Sequence, residues 1–172
     1  MTSLKTAAVL LLGSIALSAC ATKAPKDLPP DPGAAVNTST NTNGGTLQGP
    51  TPGTQADFVA QMMGQDTVYF DTDRYNIDSQ DAAALAAQAA WLGKYPAKHA
   101  TIEGHCDERG TRDYNLALGE RRANAAKNYL VSLGVDAARV STVSYGKERP
   151  VALGSDEASW AKNRRAVTVT VD

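Results

Sequence analysis

"HATIEGHCDERGTRDYNLALGERRANAAKNYLVSLG", residues 99–134, passes from a strand to a helix through a charged loop. Residues 99–105 read as a strand. From Asp113 the pattern is helical, with Leu116, Gly119, Ala123, Ala126, Leu130 and Leu133 forming an apolar seam. Gly134 stands where a helix ends on a left-handed residue.

Working outward, residues 54–63 give a short leading helix, and "DTVYFD", residues 66–71, reads as a strand closed by polar residues. "SQDAAALAAQAAWLGKYP", residues 79–96, reads as a helix with Ser79 as N-cap, Ala82, Leu85, Ala89 and Leu92 at core spacing, and Pro96 beyond its end. Residues 139–146 form a third strand, and residues 156–163 one or two helical turns. Residues 164–171 alternate as a last strand, with Ala166 on one face. Strand, helix, strand, helix, strand implies parallel crossovers. The last strand follows a shorter connection and is expected antiparallel. The predicted fold is α/β: a two-layer sandwich with a small mixed sheet and helices on one face.

Two loops leave the C-terminal ends of the first two core strands, "DTDRYN" (71–76) and "GHCDERGTR" (104–112). Ligands of open α/β sheets settle at such ends. If the two strands are neighbours, Asp71 or Asp73 faces Asp107 across a cleft. Asn115, Leu118 and Arg122 are spaced i, i+3, i+7 and share one helix face, from which Arg121 diverges. Acid, amide and guanidinium together suit a zwitterion, whose carboxylate Arg122 takes and whose ammonium Asp107 takes. The plainer alternative is an Asp107–Arg122 surface pair, which contributes little.

The chain opens "MTSLKTAAVLLLGSIALSAC". One lysine precedes an apolar run at residues 7–19, shorter than the ~18 residues a spanning helix needs. Residues 1–19 therefore read as a signal peptide. "LSAC" resembles a bacterial lipobox, which implies a multiply acylated Cys20, and Ala21 in place of aspartate favours the outer membrane. Residues 21–53 hold six of the eight prolines and no aromatic residue, a composition that does not fold alone. They form a tether with a coil span of roughly 30 Å. The parts are thus 1–19 signal, 20–53 lipidated cysteine and tether, and 54–172 domain.

Cys106 has no intrachain partner once Cys20 is acylated, so no disulfide framework is expected. Seventeen Lys and Arg against eighteen Asp and Glu leave a net charge of −1, and nothing here calls for nucleic acid. His105, Cys106 and Asp107 superficially suggest a thiol triad, but neighbouring residues of a strand point to opposite faces. His99, His105, Cys106 and Glu108 lack zinc spacing. No enzyme activity, metal or cofactor is expected.

The stretch "GHCDERGTRDYNLALGERRANAAKNYL", with "VYFDTDRYNI" before it and "VSYGKERP" and "WAKNRRA" after it, resembles the lipoprotein branch of the OmpA-like peptidoglycan-binding domain family. The likeness spans about residues 66–172. It implies an OmpA C-terminal-like fold and non-covalent binding of peptidoglycan through its meso-diaminopimelate stem. Asp107 would meet the ammonium and Arg122 the carboxylate, with Asn115 and Leu118 lining the pocket and a further acid, Asp73, in the first loop. Thr72 departs from the aromatic or glycine of close relatives, which leaves Asp71 open beside Asp73. The resemblance also implies the Tol-system proteins TolB and TolA as partners, with TolB and cell wall competing for overlapping surface.

Overall fold

The computed structural model describes residues 49–171. The segments read above as signal peptide, lipidated Cys20 and tether, up to residue 48, lie outside the described residues. Residues 51–53, read above as the end of the tether, are already held to the domain. Gly53 N–H donates to Asp57 Oδ2 at 2.9 Å, and Thr54 N–H donates to the Thr51 carbonyl.

In chain order the elements are α1 (Gln55–Met62), β1 (Thr67–Tyr69), α2 (Ser79–Lys94), β2 (His99–His105), α3 (Arg112–Ser132), a 3₁₀ turn (Ala137–Arg139), β3 (Val140–Gly146), α4 (Glu157–Asn163) and β4 (Arg165–Val171). The order in the sheet is β1-β4-β2-β3. Strands β2 and β3 are parallel, joined by the α3 crossover, while β4 runs antiparallel to both β1 and β2. The mixed sheet and its antiparallel last strand agree with the sequence reading. The first two strands are not neighbours, however, because β4 inserts between them. They still run the same way, each being antiparallel to β4, so their C-terminal loops leave the same end of the sheet. The three-residue β1 takes an edge, where a short strand offers little unpaired backbone to another chain.

One face of the sheet packs against α1, α2 and α3. Phe58, Leu85, Leu92, Ile102 and Leu130 are fully buried between the layers. Thr168 and Thr170 also face inward, and each is satisfied by a glutamine: Thr168 Oγ1 donates to Gln88 Oε1 and Thr170 Oγ1 to Gln55 Oε1, both at 2.7 Å. A buried hydroxyl without such a partner would cost about 1–3 kcal/mol.

Helix α2 is capped by Asp78, not Ser79: Asp78 Oδ1 accepts from Asp81 N–H at 2.8 Å. Carboxylate and hydroxyl are both good caps, so the local pattern left a one-residue ambiguity. Helix α3 starts on Thr111, whose hydroxyl accepts from Tyr114 N–H, and is followed by Gly134 at φ +96°. Gly119, Ala123, Ala126 and Leu130 of its seam are buried, but Leu116 and Leu133 are 41% and 44% exposed. The buried stripe begins instead with Asn115, Leu118 and Arg122. At its N-terminal end the inward face of α3 therefore meets the two loops and is polar.

Candidate functional site: a charged hollow at the strand ends

The loop after β1, the loop after β2, the first half of α3 and Arg164 enclose a hollow of about 270 Å³. Asp73, Asp107, Asn115, Leu118 and Arg122 all line it, with Thr72, Cys106, Arg109, Tyr114 and Arg164. Asp71 lines a neighbouring hollow instead, with Asp78, Asp81 and the other side of Arg164. Of the two first-loop acids, then, Asp73 is the one facing Asp107's hollow. Asp73 holds φ +56°, a left-handed conformation that aspartate tolerates better than most residues, and its Oδ1 accepts from Tyr114 Oη at 3.1 Å.

Asp107 is buried and held by arginines. Its Oδ1 accepts from Arg109 N–H at 3.1 Å and Nε at 3.0 Å, and its Oδ2 accepts from Arg109 Nη2 at 2.7 Å and Arg164 Nη1 at 3.5 Å. Burial pushes the carboxyl's pKa up, but the hydrogen bonds from Arg109 and Arg164 outweigh it, and the net shift is downward. Asp107 is therefore an anion at neutral pH. The simple Asp107–Arg122 pair is not formed.

Arg122 is fully buried. Its Nε donates to the Arg74 carbonyl at 2.9 Å, Nη1 to the His105 carbonyl at 2.9 Å and to Cys106 Sγ at 3.4 Å, and Nη2 to the Asp71 carbonyl at 3.1 Å. A guanidinium has five N–H groups, so one is left for a ligand. Burial lowers the pKa of this arginine, yet a guanidinium remains charged in proteins. The side chain that the spacing offered as a carboxylate fork thus ties both loops to α3. Asn115 behaves similarly: Nδ2 donates to the Arg109 carbonyl at 2.6 Å and the Thr111 carbonyl at 3.0 Å, fixing the second loop and leaving Oδ1 as its spare acceptor. Leu118 is buried and supplies an apolar wall.

Cys106 and His105 diverge. Cys106 Sγ donates to the Asn115 carbonyl at 3.3 Å, and burial, against the pull of Arg122, raises its pKa. His105 stacks on Tyr145 with ring centroids 5.5 Å apart, and Glu103 Oε2 lies 3.5 Å from its Nε2. Burial lowers the imidazole's pKa, which favours the neutral ring. The thiol and the imidazole therefore do not meet. Among the described residues no cluster of three or more His, Cys, Asp or Glu is arranged to hold a metal.

Sequence reasoning missed Arg109 and Arg164. Arg109 had a local signal, since an aspartate commonly accepts from the backbone two residues on. Arg164 had none, because it arrives from the end of α4, where Nε donates to the Phe70 carbonyl and Nη2 to Glu157 Oε1.

This arrangement is that of an OmpA-like domain, and the model of the OmpA family matches residues 69–164. A relative from Rhizobium meliloti named "Peptidoglycan-associated lipoprotein" is 48% identical over 161 residues, covering 94% of this chain and 85% of the relative. The crystal structure of the peptidoglycan-associated lipoprotein from Burkholderia pseudomallei is 52% identical, covers 61% of this chain and 89% of that one, and aligns with a TM-score of 0.60. The C-terminal domain of Helicobacter pylori MotB shares the fold at 21% identity, with a TM-score of 0.58 over 62% of this chain and 84% of that one. The chain belongs to the OmpA family and, within it, to the peptidoglycan-associated lipoproteins.

Proposed function

We propose that this chain is an outer-membrane lipoprotein, anchored through acylated Cys20 and facing the periplasm, that binds peptidoglycan non-covalently through the meso-diaminopimelate stem. In this reading residues 1–19 are the signal peptide, the segment after Cys20 is a tether, and the domain from residue 54 grips the wall. It links outer membrane to cell wall within the Tol-Pal system, supporting envelope integrity and constriction at division. The role is that of a binding module without catalysis or cofactor. Relatives named for peptidoglycan association support the first part. The observation that carries the site is the buried Asp107 carboxylate, held ionised among arginines at the wall of an open hollow. Such a group takes the ammonium of the diaminopimelate end and the remaining N–H of Arg122 its carboxylate, with Asp73, Asn115 and Leu118 lining the space around them.

The test is sedimentation of the mature chain with purified peptidoglycan. Asp107→Asn keeps the shape and removes the charge. Losing one charge-assisted contact of about 1.5–3 kcal/mol corresponds to a roughly 10- to 100-fold weaker affinity. If the variant sediments like the parent at limiting wall concentrations, Asp107 does not hold the ligand.

A second reading, chiefly a protein-interaction module of the Tol system with weak wall binding, has its own support. Val151 and Leu153 are 63% and 87% exposed. Their loop is pinned by Asn163, whose Oδ1 accepts from Val151 and Ala152 N–H and whose Nδ2 donates to the Ala152 carbonyl. Apolar groups presented on fixed backbone suit a protein partner, for which TolB is proposed first and TolA second. Competition between TolB and peptidoglycan for the mature chain separates the two readings.

A further inference from the structure

A second hollow, of about 240 Å³, lies on the other side of Arg164, where the start of α2 meets the end of β1 and α4. Tyr69, Phe70 and Ala161 give it apolar walls, and Asp71, Asp78 and Asp81 give it three carboxylates. Asp81 is only 6% exposed. Its Oδ1 accepts from Tyr69 N–H at 3.1 Å, and its own N–H donates to Asp78 Oδ1 at 2.8 Å, so backbone and side chain are both fixed. Its Oδ2 is buried and has no hydrogen-bond partner. A buried acceptor left bare costs free energy that a bound donor would recover. Arg164 is not that donor, because its hydrogen bonds go to the Phe70 carbonyl, Glu157 and Asp107. The amino end of α2 offsets only about half a unit of charge, against three acids. The hollow therefore has an excess of acid, with one spare buried acceptor among apolar walls.

We propose that this second hollow binds an alkyl ammonium, whose charged head donates to Asp81 Oδ2 and whose stem lies along Tyr69, Phe70 and Ala161. The site is separate from the one that takes the stem peptide and does not depend on that reading. An ammonium suits it better than the other cations. A guanidinium is a planar fork that wants paired acceptors, whereas one spare oxygen suits a compact point charge. A divalent metal wants several oxygens around one point, and among the described residues no three acids are arranged that way. The Tyr69 ring, 52% exposed, offers the face along which an alkyl stem reaches the buried oxygen. Lysine side chains of a protein partner and small free amines carry the same chemistry.

The experiment is an NMR titration of the full mature chain in detergent, read at the backbone amides of Tyr69 and Asp81. The probes are n-butylammonium, uncharged n-butanol, and Nα-acetyl-lysine methylamide, which carries the same head on peptide backbone. Butylammonium is expected to shift both amides saturably, and butanol to leave them unmoved. Asp81→Asn keeps an oxygen for Tyr69 N–H and removes the charge, and is expected to weaken binding about tenfold or more, the scale of one charge-assisted contact. Asp107→Asn, altered in the first hollow, is expected to retain the shifts. Tighter binding of the acetyl-lysine probe than of butylammonium assigns the site to a protein lysine, and equal affinity assigns it to small amines. A second measurement needs no variant. Burial and the neighbouring Asp78 push the Asp81 pKa up, so protonation discharges it as pH falls and the parent's affinity should fall with it. Asp71 and Asp78 share the hollow and add to that fall, while Arg164 stays charged throughout. Amides that ignore butylammonium, an affinity indifferent to pH, full-strength binding in Asp81→Asn, or shifts abolished by Asp107→Asn would each overturn the proposal.

Discussion

Arg122→Ala is expected to unfold the domain under conditions in which the parent is stable, rather than merely to abolish wall binding. The side chain is fully buried and supplies donors to the carbonyls of Asp71, Arg74 and His105. Two of those carbonyls belong to the loop after β1 and the third ends β2, so one guanidinium ties both loops to α3. Each buried acceptor left without a donor costs about 1–3 kcal/mol, and the missing side chain leaves a cavity beside Phe70, whose ring lies 5.2 Å from the guanidinium carbon. Removing a group from a buried charged network costs about 3–5 kcal/mol. For a domain of this size that is a fall in melting temperature on the order of 15 °C. Arg122→Lys is expected to recover little, because one ammonium cannot reproduce a planar fork aimed at three separate carbonyls. Urea unfolding of both variants measures the effect. A variant that melts within about two degrees of the parent while losing the wall would instead make Arg122 a ligand contact first and a clamp second.

The second large effect is expected at Gly104→Ala. Here β2 and α3 touch backbone to backbone: a Cβ on Gly104 would fall on the carbonyl of Gly119, and a Cβ on Gly119 would meet Ser144 Oγ and the Gly104 carbonyl. Neither obstacle at Gly104 is a flexible side chain that can rotate aside. The helix has to lift from the sheet, and with it Asn115, Leu118 and Arg122. Overpacking commonly costs about 1–3 kcal/mol, and a backbone obstacle places this variant at or above the upper end. Loss of stability and misplacement of the hollow should therefore arrive together in thermal melts and wall sedimentation. Gly93→Ala is the control. Gly93 is an exposed residue of α2 with nothing within 4 Å of the added carbon, and the change is expected to stabilise by roughly 0.5–1 kcal/mol. A Gly104→Ala protein as stable as the parent would show that α3 does not sit this close to β2.

The two variants mark where local order stops informing. Helices α2 and α3 and the strand β2 were legible because their signals, apolar spacing, a closing proline and a terminal glycine, act between residues a few positions apart. So was the shared face of Asn115, Leu118 and Arg122, a consequence of helical geometry alone. Gly119 was legible as a seam member, but its direct contact with Gly104 was not, since nothing in either segment names the other. The same holds for β4, whose alternation is as suitable for an edge as for the centre of a sheet.

By itself, then, the amino-acid order determined the main elements, the mixed α/β class and part of the set of side chains that gather at one end of the sheet. Tertiary structure decided the strand order and what those side chains do there. The physical reason is that loop carbonyls brought into the interior must find donors. Arg122 lies 48 and 51 residues from two of its three carbonyl acceptors, and only the folded chain brings it to them, leaving Arg109 as the half-exposed cation on the rim.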